Sequence, residues 1–420
     1  MPHQVALTIR AAVHPREVDR LKAVLADLAS DGRRAKLLPF EDLPVHFARF
    51  VILDEVTDLH GNRIEPSLYF MSDIDSPPRR FVRELVDVAA DGLDQIFSHC
   101  EGYPDSPTAQ QRVAYLEDRS IKPTAAYVNT VGRSVKDVRG EAQLRDAIEA
   151  FLDRRNWSDR TAVEVRAAVV DYVAGEPTLA WALRKAQPPS LSWRAKQLAH
   201  LVGAVVVLLV LAPILLAVLP FWLVALRIHE RRDVPSQRVP DPVHVEALAD
   251  VEDVIVQNQF TAVGFVKPGW FRRTTLSGVL WMLGLSARHV FNAGSLAGIH
   301  TIHFARWVFL DGKRRLIFIS NYDGSLESYM DDFIDKVAWG LNAAFSNGVG
   351  YPRTRWLMLD GAKDERAFKN YLRDNQLPTP IWYSAYGDLT AVNIANNASI
   401  RRGLRGKASA AQAEQWARLL

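Results

Sequence analysis

Apolar residues recur along this chain at two periods, and one long stretch has no polar positions to set a period. Alternation near Val5–Arg10, Val45–Asp54, Ser67–Ser72 and Ala125–Val131 predicts strands. Helical spacing of Val18, Leu21, Leu25 and Leu28 predicts a helix over Glu17–Leu28, and Phe81, Leu85, Val88, Leu93 and Phe97 predict another over Phe81–Phe97. A further helix is expected at Glu141–Leu152. The second half reads alike: strand Phe260–Val266, helix Phe271–Phe291, strands Ile302–Leu310 and Arg315–Ser320, helix Leu326–Phe345, strand Ile381–Tyr386. Asp311-Gly312 between two apolar runs is a hairpin signal.

Strand, helix, strand, strand, helix, strand is the ferredoxin-like order. It occurs twice because the sequence is duplicated. His-Phe-Ala-Arg stands at His46–Arg49 and again at His303–Arg306, and Leu68–Pro104 aligns on Leu316–Pro352 without a gap, 13 of 37 positions being identical at an offset of 248. Such a unit covers one sheet face with its own helices and needs a partner for the other. Two copies supply each other. The expected fold class is therefore α+β, with two ferredoxin-like modules packed as an intramolecular barrel and a membrane-embedded insert between them.

That insert is Ala199–Leu226, 28 residues without Lys, Arg, Asp or Glu. A run this long reads as membrane-embedded, because a helix satisfies its own backbone groups in hydrocarbon. Pro213 and Pro220 interrupt it, and four basic residues on each side (Arg184, Lys185, Arg194 and Lys196; Arg227, Arg231, Arg232 and Arg238) give no orienting bias. A single tilted span is one reading. Sheet-to-sheet pairing needs both modules on one side of the membrane, so a re-entrant hairpin broken near Pro213 is preferred. The domains then read as 1–155, module 1; 156–198, an amphipathic helical connector with a helix at Arg160–Ala186 before Pro188-Pro189; 199–226, the embedded segment; 227–250, a Pro-containing linker; and 251–420, module 2.

Composition narrows the function. Net charge is +3, and basic runs interleaved with aromatics are absent, so nucleic acid is not an expected partner. The lone Cys100 excludes an internal disulfide or a cysteine metal cluster. The N-terminus lacks the pattern of a secretory signal, and the soluble modules are expected to face the cytoplasm. Phosphate-loop, zinc-protease and α/β-hydrolase motifs are missing.

Candidate chemistry gathers in module 2. By alternation, His303 and Arg306 fall on opposite strand faces, as do His46 and Arg49. One reading makes the histidine a hydrogen-bonded core group and pairs the arginine with Asp75 or Asp323. The other places a site at the polar loop Ser320–Ser325, with Asn321, Tyr322 and Asp323, where Asp323 or Ser325 also suits helix capping. His289 and His300 flank the glycine-containing loop 294–298. Asn342, Asn347, Tyr351, Arg353 and, on the last strand, Trp382, Tyr383 and Tyr386 are further polar or aromatic candidates nearby.

The duplicated organisation resembles the dimeric α+β barrel superfamily, whose two-module members include the dye-decolourising peroxidases and the chlorite dismutases. Ser320-Asn321-Tyr322-Asp323-Gly324 is similar to the peroxidases' GxxDG loop, with serine for the first glycine. The resemblance implies haem as cofactor, Asp323 as distal acid, Arg306 as distal arginine, and an axial ligand from His289, His300 or His303. The leading expectation is a membrane-anchored, peroxidase-like oxidoreductase acting on a lipophilic substrate at the bilayer surface. The alternative is a non-catalytic lipid- or partner-binding protein whose duplicated His and Arg are structural. A cofactor-free monooxygenase using His303, Asn321 and Trp307 is a third.

Overall fold

The computed structural model describes residues 4–30, 32–185 and 190–420. In chain order its main elements are β1 (Val5–Ala12), α1 (Val18–Ala29), α2 (Arg33–Leu37), β2 (Val45–Leu53), β3 (Ser67–Ile74), α3 (Pro78–Phe97), α4 (Ala109–Asp118), β4 (Ser120–Ile121), β5 (Ala125–Val128) and α5 (Val135–Leu152). Next come α6 (Ala162–Gly175), α7 (Leu191–Arg232) and α8 (Pro242–Ala249). The remainder comprises β6 (Gln257–Phe265), α9 (Trp270–His289), β7 (Ile302–Leu310), β8 (Arg315–Asp323), α10 (Leu326–Phe345), α11 (Glu365–Asn375), β9 (Ile381–Ser384), α12 (Ala391–Gly403) and α13 (Ala410–Ala417). The fold is mixed α+β with antiparallel sheets and one long apolar helix.

The strands form two main sheets, ordered β9-β2-β3-β1-β4 and β5-β7-β8-β6. Each sheet is completed by a strand from the other half of the chain: Tyr383 pairs with Ala48, and Tyr127 with Ala305. The sheets face each other, with Val51, Leu53, Tyr69 and Met71 of the first packed on Val308, Leu310, Ile317 and Ile319 of the second. Alternation sends the intervening residues outward. There Phe50, Leu68 and Phe70 meet α1 and α3, while Phe260 and Phe318 meet α9, α10 and α11.

The two halves agree in detail. Helices α3 and α10 each carry a single non-helical residue, Ala89 and Val337, 248 positions apart. They differ at the next shared glycine. A Cβ on Gly92 would stand 2.3 Å from the Leu37 carbonyl oxygen, because α2 lies against α3 there, whereas a Cβ on Gly340 would meet nothing within 4 Å.

Helix α7 corrects the hairpin expectation. It runs unbroken for 42 residues, capped by Ser190 and containing both Pro213 and Pro220. A proline removes one intrahelical bond, and a long helix in apolar surroundings absorbs that loss through its neighbours. By length and composition α7 is able to cross a membrane. The helix expected over Arg160–Ala186 ends at Gly175, and a short 3-10 turn, Ala180–Leu183, follows. Ala186 and Pro188-Pro189 lie outside the described residues.

Candidate functional site

The two His-Phe-Ala-Arg segments lie where β2 and β7 lose their regular register. Val45 pairs with Ile74 and Phe47 with Asp73, which leaves His46 as an extra residue. Likewise Ile302 pairs with Tyr322 and Phe304 with Asn321, which leaves His303 extra. A bulge resets alternation. The expectation that histidine and arginine point to opposite faces therefore fails, because both reach the space between the sheets.

Each histidine is held by the carboxylate ending the neighbouring strand, His46 Nε2 to Asp75 at 2.8 Å and His303 Nε2 to Asp323 at 2.6 Å. The second oxygen of each carboxylate accepts the first N–H of a helix, Val135 of α5 at 2.7 Å and Ala391 of α12 at 2.8 Å. Those N–H groups have no intrahelical partner and carry the positive end of the helix dipole. Asp323 thus caps α12, while Ser325 caps α10, accepting from Ser328. His46 Nδ1 also bonds the Tyr386 hydroxyl at 2.7 Å. The halves clasp here: His46 packs on Phe304, His303 on Phe47, and the two phenylalanines meet edge-on. The void between the histidines is about 20 Å³, room for about one water.

One turn of strand further in, the arginines cross. Arg306 Nη1 donates to the Leu7 carbonyl at 2.7 Å, and Nη2 to the Ser72 carbonyl at 3.0 Å and to Asp73 at 2.5 Å. Arg49 Nη1 donates to the Phe260 carbonyl at 3.0 Å and to Thr261 at 2.8 Å, and Nη2 to the Ser320 carbonyl and to Asn321 Oδ1. The patterns match, with Asn321 in the place of Asp73. Asn321 Nδ2 in turn donates to Asp73 at 3.3 Å. Burial lowers the Arg49 pKa to about 9, opposed by attraction to Asp73. The arginines thus pair with Asp73 and Asn321, and the carboxylates expected for them, Asp75 and Asp323, hold the histidines instead.

The remaining candidates disperse. Tyr322 points outward and stacks on Tyr329 with ring centroids 3.9 Å apart, and burial holds its hydroxyl far above the usual range. His300 is exposed, Nδ1 on the Gly294 carbonyl. His289 bonds His200 of α7 at 3.0 Å. Asn342 and Tyr351 bond each other at 2.8 Å, and Asn342 also donates to the Met358 and Asp360 carbonyls, fixing the loop there.

A larger feature was not anticipated from sequence. Between α7, α9 and α10 lies a cavity of about 910 Å³, walled by Leu215, Val218 and Trp222 of α7 and by α9, α10, Trp307 and Phe318. Gly278 and Gly340 open onto it, and a Cβ on either would meet nothing within 4 Å. Among the described residues its walls include no histidine. Trp307 Nε1 is buried there without a partner among the described residues. Helix α7 contacts α9 at both ends, through Gln197 with Arg288 (2.6 Å) and Trp222 with Thr275 (3.2 Å). The paired glycines are the sequence signal, but Gly340 and Gly92 are the same residue at equivalent positions. Comparison of the chain with family profiles, curated proteins and solved structures finds no match.

Proposed function

We propose that this protein is a membrane-associated lipid-binding protein: two ferredoxin-like modules, duplicated and interlocked as one barrel, hold a lipophilic molecule beneath α7. The observation that carries the reading is the cavity of about 910 Å³, which lies within the size range of small-molecule sites. Its wall is shared by α7, the one helix among the described residues apolar enough for a membrane. The duplicated His, Arg and Asp residues act as the clasp between the sheets, each engaged with a protein partner. This favours the non-catalytic alternative over haem chemistry, because the void beside His303 is far smaller than a porphyrin and, among the described residues, the large cavity has no histidine in its walls.

The test fills the cavity from positions where side chains meet open space. Gly278→Phe and Gly340→Phe, in the detergent-purified full chain, are compared with wild type for lipid recovered by organic extraction and mass spectrometry and for binding of a solvatochromic acyl probe. Stoichiometric lipid and probe binding in wild type, lost in both variants at unchanged thermal stability, is the expected result. A wild-type protein that carries no lipid and binds no probe, or variants that bind as wild type does, would overturn the reading. A Soret band on haemin addition, lost in His303→Ala, would restore the oxidoreductase reading.

A further inference from the structure

We infer that α7 does not cross the bilayer but lies along its surface, embedded in one leaflet, with the globular body on the same side at both of its ends. This rests on the membrane half of the reading above and is independent of what occupies the cavity.

Chain connectivity carries the argument. The C-terminal end of α7 is built into the body. Leu226 and Glu230 are fully buried, and the Glu230 carboxylate accepts from the Thr354 hydroxyl and the Trp356 and Leu357 N–H groups. Before α7, the chain is fixed as far as Arg184, whose carbonyl accepts from Arg405, and Ala182 is fully buried among α5, α6, α12 and α13. From Arg184 to Ser190 is seven residues. Fully extended they reach about 25 Å, short of the ~30 Å hydrocarbon core. A spanning α7 would leave its N-terminus on the far side with no chain long enough to return.

The modules cannot separate to relieve this, since β5 and β9 each complete the other half's sheet. A hairpin would solve the problem, but α7 is continuous. Lying flat is the arrangement left.

The surface of α7 agrees. A helix apolar all round must be buried on every side. Ala204 and Leu226 turn toward the body, whereas Val202, Leu209, Leu216 and Val224 are exposed. These four, spaced by seven or eight residues, fall on one face. Arg194 and Lys196 before the apolar run, and Arg231 and Arg232 after it, suit headgroup phosphates. Trp281 of α9, also exposed, suits the interface beside it.

Single nitroxide labels at Val202→Cys, Leu209→Cys, Leu216→Cys and Val224→Cys, in full-length protein on phosphatidylcholine vesicles containing one-quarter phosphatidylglycerol, read depth from relative accessibility to oxygen and a nickel chelate. The expected result is the same depth at all four. A profile with Leu209 and Leu216 about 10 Å deeper than Val202 and Val224, the difference a 1.5 Å rise imposes on a span, would overturn the inference. So would water-like accessibility at all four. An empty cavity with a flat depth profile would sink the lipid-binding proposal and leave this one standing.

Discussion

Arg49 and Asn321 meet between the sheets in the geometry by which Arg306 meets Asp73 in the other half. Of the two buried guanidiniums, Arg306 bonds the Asp73 carboxylate directly and Arg49 reaches it through Asn321. Asp73→Asn is expected to destabilise by about 3–5 kcal/mol, as removal of one partner of a buried pair does. Adding Asn321→Asp moves the carboxylate to the equivalent place beside Arg49 and should recover most of the loss. Urea unfolding of the single and double variants checks this, and a double variant no better than Asp73→Asn would refute the equivalence.

Alanine at the two shared glycines should have opposite effects. At Gly340 the new methyl meets open space, and removing a helical glycine stabilises by about 0.5–1 kcal/mol. At Gly92 it meets a backbone oxygen at 2.3 Å, and forcing α2 from α3 costs about 1–3 kcal/mol. Thermal denaturation of the pair distinguishes them by sign alone.

Glu230 holds a strained turn. Trp356 and Leu357, which donate to its carboxylate, have φ of 54° and 67°, a conformation costly for bulky residues. Glu230→Ala leaves those donors unpaired and should speed hydrogen exchange through 354–360 and the last turns of α7, while β1–β3 stay protected. Uniformly unchanged exchange would show that the turn holds itself.

Burial pushes the Cys100 thiol up to about 12. Its folded pKa therefore lies above the unfolded value of about 8.5. The contribution to stability is complete below that value and declines as pH rises toward 12, because only the unfolded chain releases the proton. Native protein at pH 8 should resist maleimide and react once denatured. Rapid native labelling would contradict the burial.

Much of the fold was legible. β7 and α10 appear at the bounds their periodicities predict, and α3 and α10 each carry one non-helical residue, Ala89 and Val337, at the repeat's offset of 248. Strand exchange was not legible, because the alternation in Ala125–Val128 and in Ile381–Ser384 shows which face is buried and says nothing of which neighbour supplies the edge. The bulges at His46 and His303 escaped for a related reason: a period of two has no mark for an inserted residue. The clasp was half visible, its His and Arg residues standing out by repetition while their partners depended on those bulges. The cavity left least trace, being made by the absence of a counterpart to α2 beside Gly340.

The exchanged strands also govern how the molecule is made. Residues through Leu53 leave the ribosome 328 positions before Ile381, the start of the strand that closes their sheet. At ordinary synthesis rates that is roughly 15–65 s with an open edge, an invitation to wrong pairing. Helix α7 emerges within that interval. The most apolar segment of the described chain is therefore exposed before the last strand of the first sheet is available.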